Sequence, residues 1–157
     1  EFFDIFLAAT CKFCIGTSSG FWSVPTFFNK PVVLVNYLPI LDYYSLSEKS
    51  FFLPKSLKYK KDSKRVFLED MFSFPHGYLN TDLQFDLNEV LYTDNTEDEI
   101  RDAVIEILNI FENNNKDSVN EKKNIEIKNY LNKLNSKIYE YPLEAMGNLS
   151  SSFLNKY

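Results

Sequence analysis

The residues best suited to chemistry in this chain are five in a row: Gly16, Thr17, Ser18, Ser19 and Gly20. An apolar run, Phe13, Cys14 and Ile15, leads into them, and a helix-compatible stretch over residues 20–28 follows. A loop that leaves the carboxyl end of a strand and opens a helix turns backbone N–H groups and a positive dipole end toward solvent. Three hydroxyls add neutral donors, and two glycines leave room for a ligand close to the backbone. That combination suits a diphosphate. Two other readings stay open. The segment also fits an ordinary tight turn in which Ser18 or Ser19 caps the next helix. It fits G-x-S-x-G as well, a nucleophile elbow with Ser18 as nucleophile. The elbow needs a base and an acid. His76 is the single histidine, and Asp42, Asp62, Glu69 and Asp70 are the nominal acids before it.

The elements that position this loop follow from periodicity and punctuation. Residues 2–10 read as the end of a helix with Phe3, Phe6 and Leu7 on one face. Residues 12–15 read as a short buried strand. The helix over 20–28 contains Pro25, which predicts a kink or a short helix. Asn29 suits a left-handed position after it, and Pro31 bars continuation. Residues 32–36, Val-Val-Leu-Val-Asn, form the continuous β-branched run of a parallel strand buried on both faces. The stretch 37–65 reads mostly as loop, with a short strand near 51–53 and then a basic run. Residues 66–73 suggest a short helix that His76 and Gly77 break, and 88–92 suggest a further strand.

Thr96 and Glu99 form a capping box ahead of Ile100, Ala103, Val104, Ile107, Leu108 and Phe111, the spacing of an amphipathic helix. A polar linker occupies 112–117. Ser118 and Glu121 form a second box before Ile127, Tyr130, Leu131, Leu134, Ile138 and Tyr141. The tail 149–157 reads as a last helical turn. No internal repeat is present. This alternation predicts an α/β, Rossmann-like parallel sheet with flanking helices. Residues 1–115 make a partial Rossmann-like domain, and residues 116–157 a C-terminal helical extension packed on it. Three or four strands fall short of the about six of a full domain of this kind, which predicts that part of the sheet lies upstream. The helical pattern already running at the first residues, and Glu1 in place of Met, predict the same N-terminal truncation.

Composition narrows the function classes. The 157 residues are 45% hydrophobic, enough for a packed core. A net charge of −5 argues against a general nucleic-acid binder. The longest apolar run, 31–41, holds Asn36 and is shorter than the roughly 18 residues of a membrane span. No secretory signal pattern appears. Cys11 and Cys14 are spaced C-x-x-C, but they follow a helix instead of opening one, and a single histidine cannot complete a zinc site. They read as two buried, reduced structural thiols, in keeping with a cytoplasmic protein.

Residues 6–36, FLAATCKFCIGTSSGFWSVPTFFNKPVVLVN, resemble a family of bacterial glycosyltransferases that act in surface polysaccharide biosynthesis. The shared phrase is Ile15 to Gly20, then Val24 and Pro25, then Lys30, Pro31 and Val32, then Val35 and Asn36. The likeness continues at Phe52, Leu53, Pro54 and Lys55, at Asp94, Asn95, Thr96, Glu99 and Ile100, and at Ser152, Phe153 and Leu154. The resemblance implies a GT-B transferase, in which two Rossmann-like domains face each other across a cleft. This chain would be the C-terminal donor-binding part, inactive without its missing N-terminal Rossmann-like domain. The loop is also similar to that of nucleotide-sugar 2-epimerases, where Ser and Gly residues hold the diphosphate. Those enzymes bind ribose through a Glu in the next helix. Here that place reads Ser23, Val24 and Pro25, a departure that counts against the epimerase assignment.

By this resemblance Gly16, Thr17, Ser18, Ser19 and Gly20 bind the donor diphosphate. Asn36 shares their rim, or else caps a loop. Lys55 offers charge to the departing diphosphate. Lys55, Lys58, Lys60, Lys61, Lys64 and Arg65, opposed locally by Asp62 alone, form either a solvated loop or a surface for a lipid-linked acceptor or an anionic membrane. His76 is either a base or a packing residue. The catalytic base is assigned to no residue, because enzymes of this type commonly draw it from the N-terminal domain. No D-x-D pair is present, and no metal or other cofactor is expected; the nucleotide diphosphate sugar is the substrate. The expected partners are that donor and a glycan or lipid-linked acceptor, with the protein cytoplasmic or peripheral at the inner membrane face.

Overall fold

Val32, Val33, Leu34 and Val35 carry no polar side chain on either face, and all four are buried. They build β2 (Val32–Tyr37), which has a strand on each side. The computed structural model describes residues 2–43, 49–113, 121–135 and 147–157. Around β2 lie β1 (Cys14–Gly16) and β3 (Phe51–Pro54), with β6 (Asn148–Leu149) beyond β3. The order is β1-β2-β3-β6, and each adjacent pair is parallel. Runs without alternation belong in such strands, and β3 is buried along its whole length. The protein is therefore α/β with a parallel sheet flanked by helices, a layout compatible with a Rossmann-like domain.

Four expectations about the strands change. β1 is the edge of the sheet, with Ile15 48% exposed, so the strand expected to be buried is not. The strand expected at 88–92 is β5 (Val90–Thr93). It pairs antiparallel with β4 (Ser56–Tyr59) in a separate two-stranded sheet. Only Val90 of β5 is buried, and such a one-sided strand cannot serve between two covered faces. β4 itself lies in the stretch read as loop. The fourth strand of the parallel sheet comes from residues 148–149, followed by the last helical turn, α7 (Ser151–Leu154).

The helices follow their local signals more closely. α1 (Phe2–Thr10) precedes β1. A 3-10 turn over Gly20–Trp22 runs into the short α2 (Ser23–Phe27), as Pro25 predicts. Asn29, at φ 55°, ends it in the left-handed region. α3 (Leu68–Met71) matches the expected short helix, whereas α4 (Asp82–Leu87), with its Thr81 and Gln84 capping box, was not anticipated. α5 (Glu97–Asn113) starts as predicted: the Thr96 N–H donates to Glu99 at 2.9 Å and the Glu99 N–H to the Thr96 hydroxyl at 3.3 Å. α6 spans Glu121–Asn135. Ser118, Ile138, Tyr141 and most of the 112–117 linker lie outside the described residues, as do the side chains of Tyr130, Leu131 and Leu134. Among the described residues no helix is long and apolar enough to cross a membrane.

Side-chain bonds tie the C-terminal segment to the rest. Asn124 of α6 acts as a mock strand: its amide accepts from the Leu149 N–H at 2.7 Å and donates to the Leu149 carbonyl at 3.1 Å. Glu106 of α5 accepts from the Ser151 N–H at 2.8 Å and the Ser151 hydroxyl at 2.6 Å. Lys156 pairs with Glu99 and donates to the Ser56 hydroxyl at 2.9 Å. Burial would push the Glu99 carboxyl up, but Lys156 and the Thr96 N–H together hold it below its ordinary value. Burial pushes the Glu106 carboxyl above its ordinary value, against the pull of Ser151. A carboxyl with a raised folded-state pKa binds its proton more tightly when folded. Its contribution is full below about pH 4.3, the unfolded Glu value, and declines as pH rises through the folded value. Glu106→Gln keeps an acceptor and a donor for Ser151 without the charge. Its Tm is expected to match the parent near pH 4 and exceed it at pH 7; parallel Tm curves in calorimetry across that range would contradict this account.

Candidate functional site

Parallel pairing brings the carboxyl ends of β1, β2 and β3 to one edge of the sheet, where ligands of open α/β sheets bind. The loop after β1 is anchored there by Ser18, whose hydroxyl accepts the Leu38 N–H at 3.0 Å. Within the loop, the Ser19 N–H donates to the Thr17 carbonyl at 2.7 Å. Residues 17–20 are all exposed. Among the described residues, the N–H groups of Thr17, Ser18 and Gly20 donate no hydrogen bond. Neither Ser18 nor Ser19 caps the following helix through its side chain; Ser19 is the N-cap by backbone geometry alone. A serine side-chain cap is therefore not what holds the loop in place. Neither Gly16 nor Gly20 has a left-handed backbone. A Cβ at Gly20 would meet open space, whereas one at Gly16 would touch Trp22 at 3.4 Å.

Asn36, inside the end of β2 and not past it as expected, and Lys55, directly after β3, lie at the same edge, but both are engaged. Asn36 sits at φ 51°, where the register between β2 and β3 shifts. Its N–H donates to the Asn95 side chain at 2.6 Å, and its own side chain accepts from the Asn95 N–H at 2.6 Å. Asn95, itself buried, donates to the Pro54 carbonyl at 2.8 Å. These three bonds dock the start of α5 on the ends of β2 and β3, so Asn36 does a structural job on the rim. Lys55 follows β3, with its N–H on the Tyr37 carbonyl at 3.3 Å. Its ammonium lies 2.7 Å from Asp94 and 4.5 Å over the Tyr92 ring. Asn95 enters the sequence reading only as one residue of the likeness at 94–96, ahead of the Thr96 capping box; nothing local marks it as the partner of Asn36.

The remaining candidates lie elsewhere. His76 packs edge-on against Tyr59 at 5.9 Å, and among the described residues no hydrogen bond joins it to Ser18. A nucleophile elbow holds its serine on a strained turn. Ser18 is not among the residues with left-handed backbone, and its hydroxyl already accepts the Leu38 N–H. The basic cluster is more neutralised than its local sequence shows: Lys60 pairs with Asp86 at 2.7 Å, Lys64 with Asp62 at 3.3 Å and Lys55 with Asp94. Arg65 donates to the Lys156 carbonyl at 2.8 Å. Cys11 and Cys14 are free and half-buried, not fully buried. Burial, and then the neighbouring Cys11, push the Cys14 thiol up, away from the reactive thiolate.

An open cavity of ≈ 300 Å³ between the Phe67–Phe72 region and α6 was not indicated by any motif; Phe72, Ile127 and Tyr157 line it. Among the described residues no group of His, Cys, Asp and Glu side chains converges as a metal site would require. No protein-family model, curated protein or solved structure matches the chain.

The geometry at the edge gives a sharp expectation for the Asn36 and Asn95 pair. Removing one partner strands buried backbone groups, so Asn95→Ala is expected to cost about 1–3 kcal/mol in urea unfolding. Asn36→Ala is expected to add little in its presence, because the two share their bonds. Additive losses in the double variant would show that the pair is not the unit that holds α5 to the sheet.

Proposed function

We propose that this chain is the C-terminal, donor-binding part of a bacterial GT-B glycosyltransferase that transfers a sugar from a nucleotide diphosphate sugar to a cell-surface glycan acceptor. In this reading an N-terminal Rossmann-like domain completes the cleft. The acceptor hydroxyl attacks the anomeric carbon and the bond from that carbon to the diphosphate oxygen breaks. The leaving diphosphate keeps the electron pair, and the acceptor proton passes to a base in the other domain. The part assigned to this chain is to stabilise the negative charge on the departing diphosphate.

One observation carries the reading. The Gly/Thr/Ser loop at the carboxyl end of β1 is exposed, and the N–H groups of Thr17, Ser18 and Gly20 donate to no described residue. The resemblance over residues 6–36 supplies the chemical class. Lys55 stands on the same edge, but its ammonium reaches a diphosphate only by releasing Asp94. A lipid-linked acceptor at the inner membrane face belongs to the same reading, with Lys58 and Lys61 on the basic stretch between β3 and α3.

Saturation-transfer NMR with UDP and GDP tests the loop directly. The parent is expected to give nucleotide signals that Gly20→Asp abolishes. A side chain at residue 20 has open space, so that variant keeps its fold while adding negative charge beside the anion. The loss should be about tenfold or more in affinity, corresponding to ~1.4 kcal/mol of repulsion. Absence of signal from the parent joined to its upstream domain, or equal binding by Gly20→Asp, would sink the proposal. A fluorophosphonate probe is expected to leave Ser18 unlabelled; labelling that disappears in Ser18→Ala would move the assignment to a serine hydrolase.

A further inference from the structure

The cavity between α3 and α6 shares no residue with the loop at 16–20 and is independent of the donor-binding reading. Its walls come from three separate stretches of chain. Phe67 and Phe72 flank α3, Ile127 stands on α6, and Tyr157 closes the C-terminal side. Phe72 is almost wholly buried, whereas Phe67 is 70% exposed. The Tyr157 hydroxyl points into the core, where it donates to the buried Met71 sulfur at 3.0 Å. The ring of Tyr157, and not its polar end, is therefore what a ligand meets. A space of ≈ 300 Å³ is at the lower end of small-molecule sites. It is about twice the size of a cavity that holds one benzene. One aromatic ring with a short chain fits it.

The polar groups at the cavity are charged, and their balance is negative. Glu69 of α3 and Glu126 of α6 line it together with Lys123. Both glutamates are exposed, which puts their charges on the solvent side. Among the described residues, neither carboxylate takes part in a hydrogen bond or an ion pair. The Lys123 ammonium donates to the Leu154 carbonyl at 3.2 Å, a backbone group, and not to Glu126 one turn along. Next to Glu69, by contrast, Asp70 already accepts from the Tyr59 hydroxyl at 3.4 Å. Two unpaired carboxylates from different elements thus meet at an apolar space.

We propose that this cavity binds a small organic cation, an aromatic ring bearing a short aminoalkyl chain. The ring packs among Phe67, Phe72, Ile127 and Tyr157, where aromatic pairs add to the burial of apolar area. The ammonium, with three donors and no acceptor, turns to Glu69 and Glu126. The exposed face of Phe67 attracts the same charge through its ring quadrupole. A carboxylate on the same ring would meet two like charges instead. A hydroxyl would fill the space without answering either charge.

Saturation-transfer NMR on the 157-residue chain tests this with phenethylamine, and with phenethyl alcohol and phenylpropanoate as its neutral and anionic counterparts. Phenethylamine is expected to bind about tenfold more tightly than phenylpropanoate. Glu69→Gln with Glu126→Gln changes only exposed side chains. It is expected to weaken the amine about fivefold, to the level of the alcohol, as loss of exposed ion pairs would. Ile127→Trp fills the space and is expected to abolish the ring-proton signals of the amine, with an unchanged Tm showing that the chain is folded. No signal from the amine, or equal binding of amine and phenylpropanoate, would overturn the proposal. So would amine binding that survives both Ile127→Trp and the paired glutamine variant, since the ligand would then sit elsewhere.

Discussion

Burial of β2 on both faces, with a parallel strand on each side, is the constraint from which the rest of this protein follows. Val32, Val33 and Leu34 have no solvent to escape to. Every backbone group between them must find a partner in a neighbouring strand, because an unpaired buried group costs about 1–3 kcal/mol. β1 and β3 supply those partners in parallel register. Parallel register in turn sends all three carboxyl ends to the same side. The exposed Gly/Ser loop, Asn36 and Lys55 share one edge for that reason, although they are far apart in the chain.

The edge is itself held together by polar groups that are already engaged. Asn36 and Asn95 exchange bonds across the ends of β2 and the start of α5, and Asn95 also takes the Pro54 carbonyl. Lys55 pairs with Asp94 and lies over the Tyr92 ring. The contrast with residues 17–20 is chemical. The loop keeps backbone donors that no described residue uses, whereas the residues around it spend theirs on the fold. Backbone donors of this kind attract an anion without net positive charge, and the formal charge of the chain is −5.

Closure of the other side depends on the last residues. β6 has only two residues, too short to hold by ladder bonds alone, and Asn124 acts as its missing neighbour. Glu106 and Glu99 then fasten α7 and Lys156 to α5, beneath the buried Phe153 and Leu154. Two carboxylates on one helix thus serve the same segment with opposite pH behaviour: burial governs Glu106, and bonding partners govern Glu99.

What was legible in the sequence was local. The unbroken Val-Val-Leu-Val run gives a doubly buried parallel strand, because only that setting accepts apolar side chains on both faces. The Thr96 and Glu99 box with its apolar stripe gives α5, and Pro25 with Asn29 gives a short helix and its left-handed end. Each depends on contacts within a few residues. The exposed state of β1, the exile of β5 to a second sheet and the entry of residues 148–149 into the first were decided by pairing between distant segments, which carries no local mark. So were the uses of Asn36 and Lys55, whose partners Asn95 and Asp94 lie dozens of residues on. The loop could be recognised from residue types and spacing alone. Whether its N–H groups were free to meet a ligand depended on which strands ended beside it, and only the tertiary fold brings those ends together.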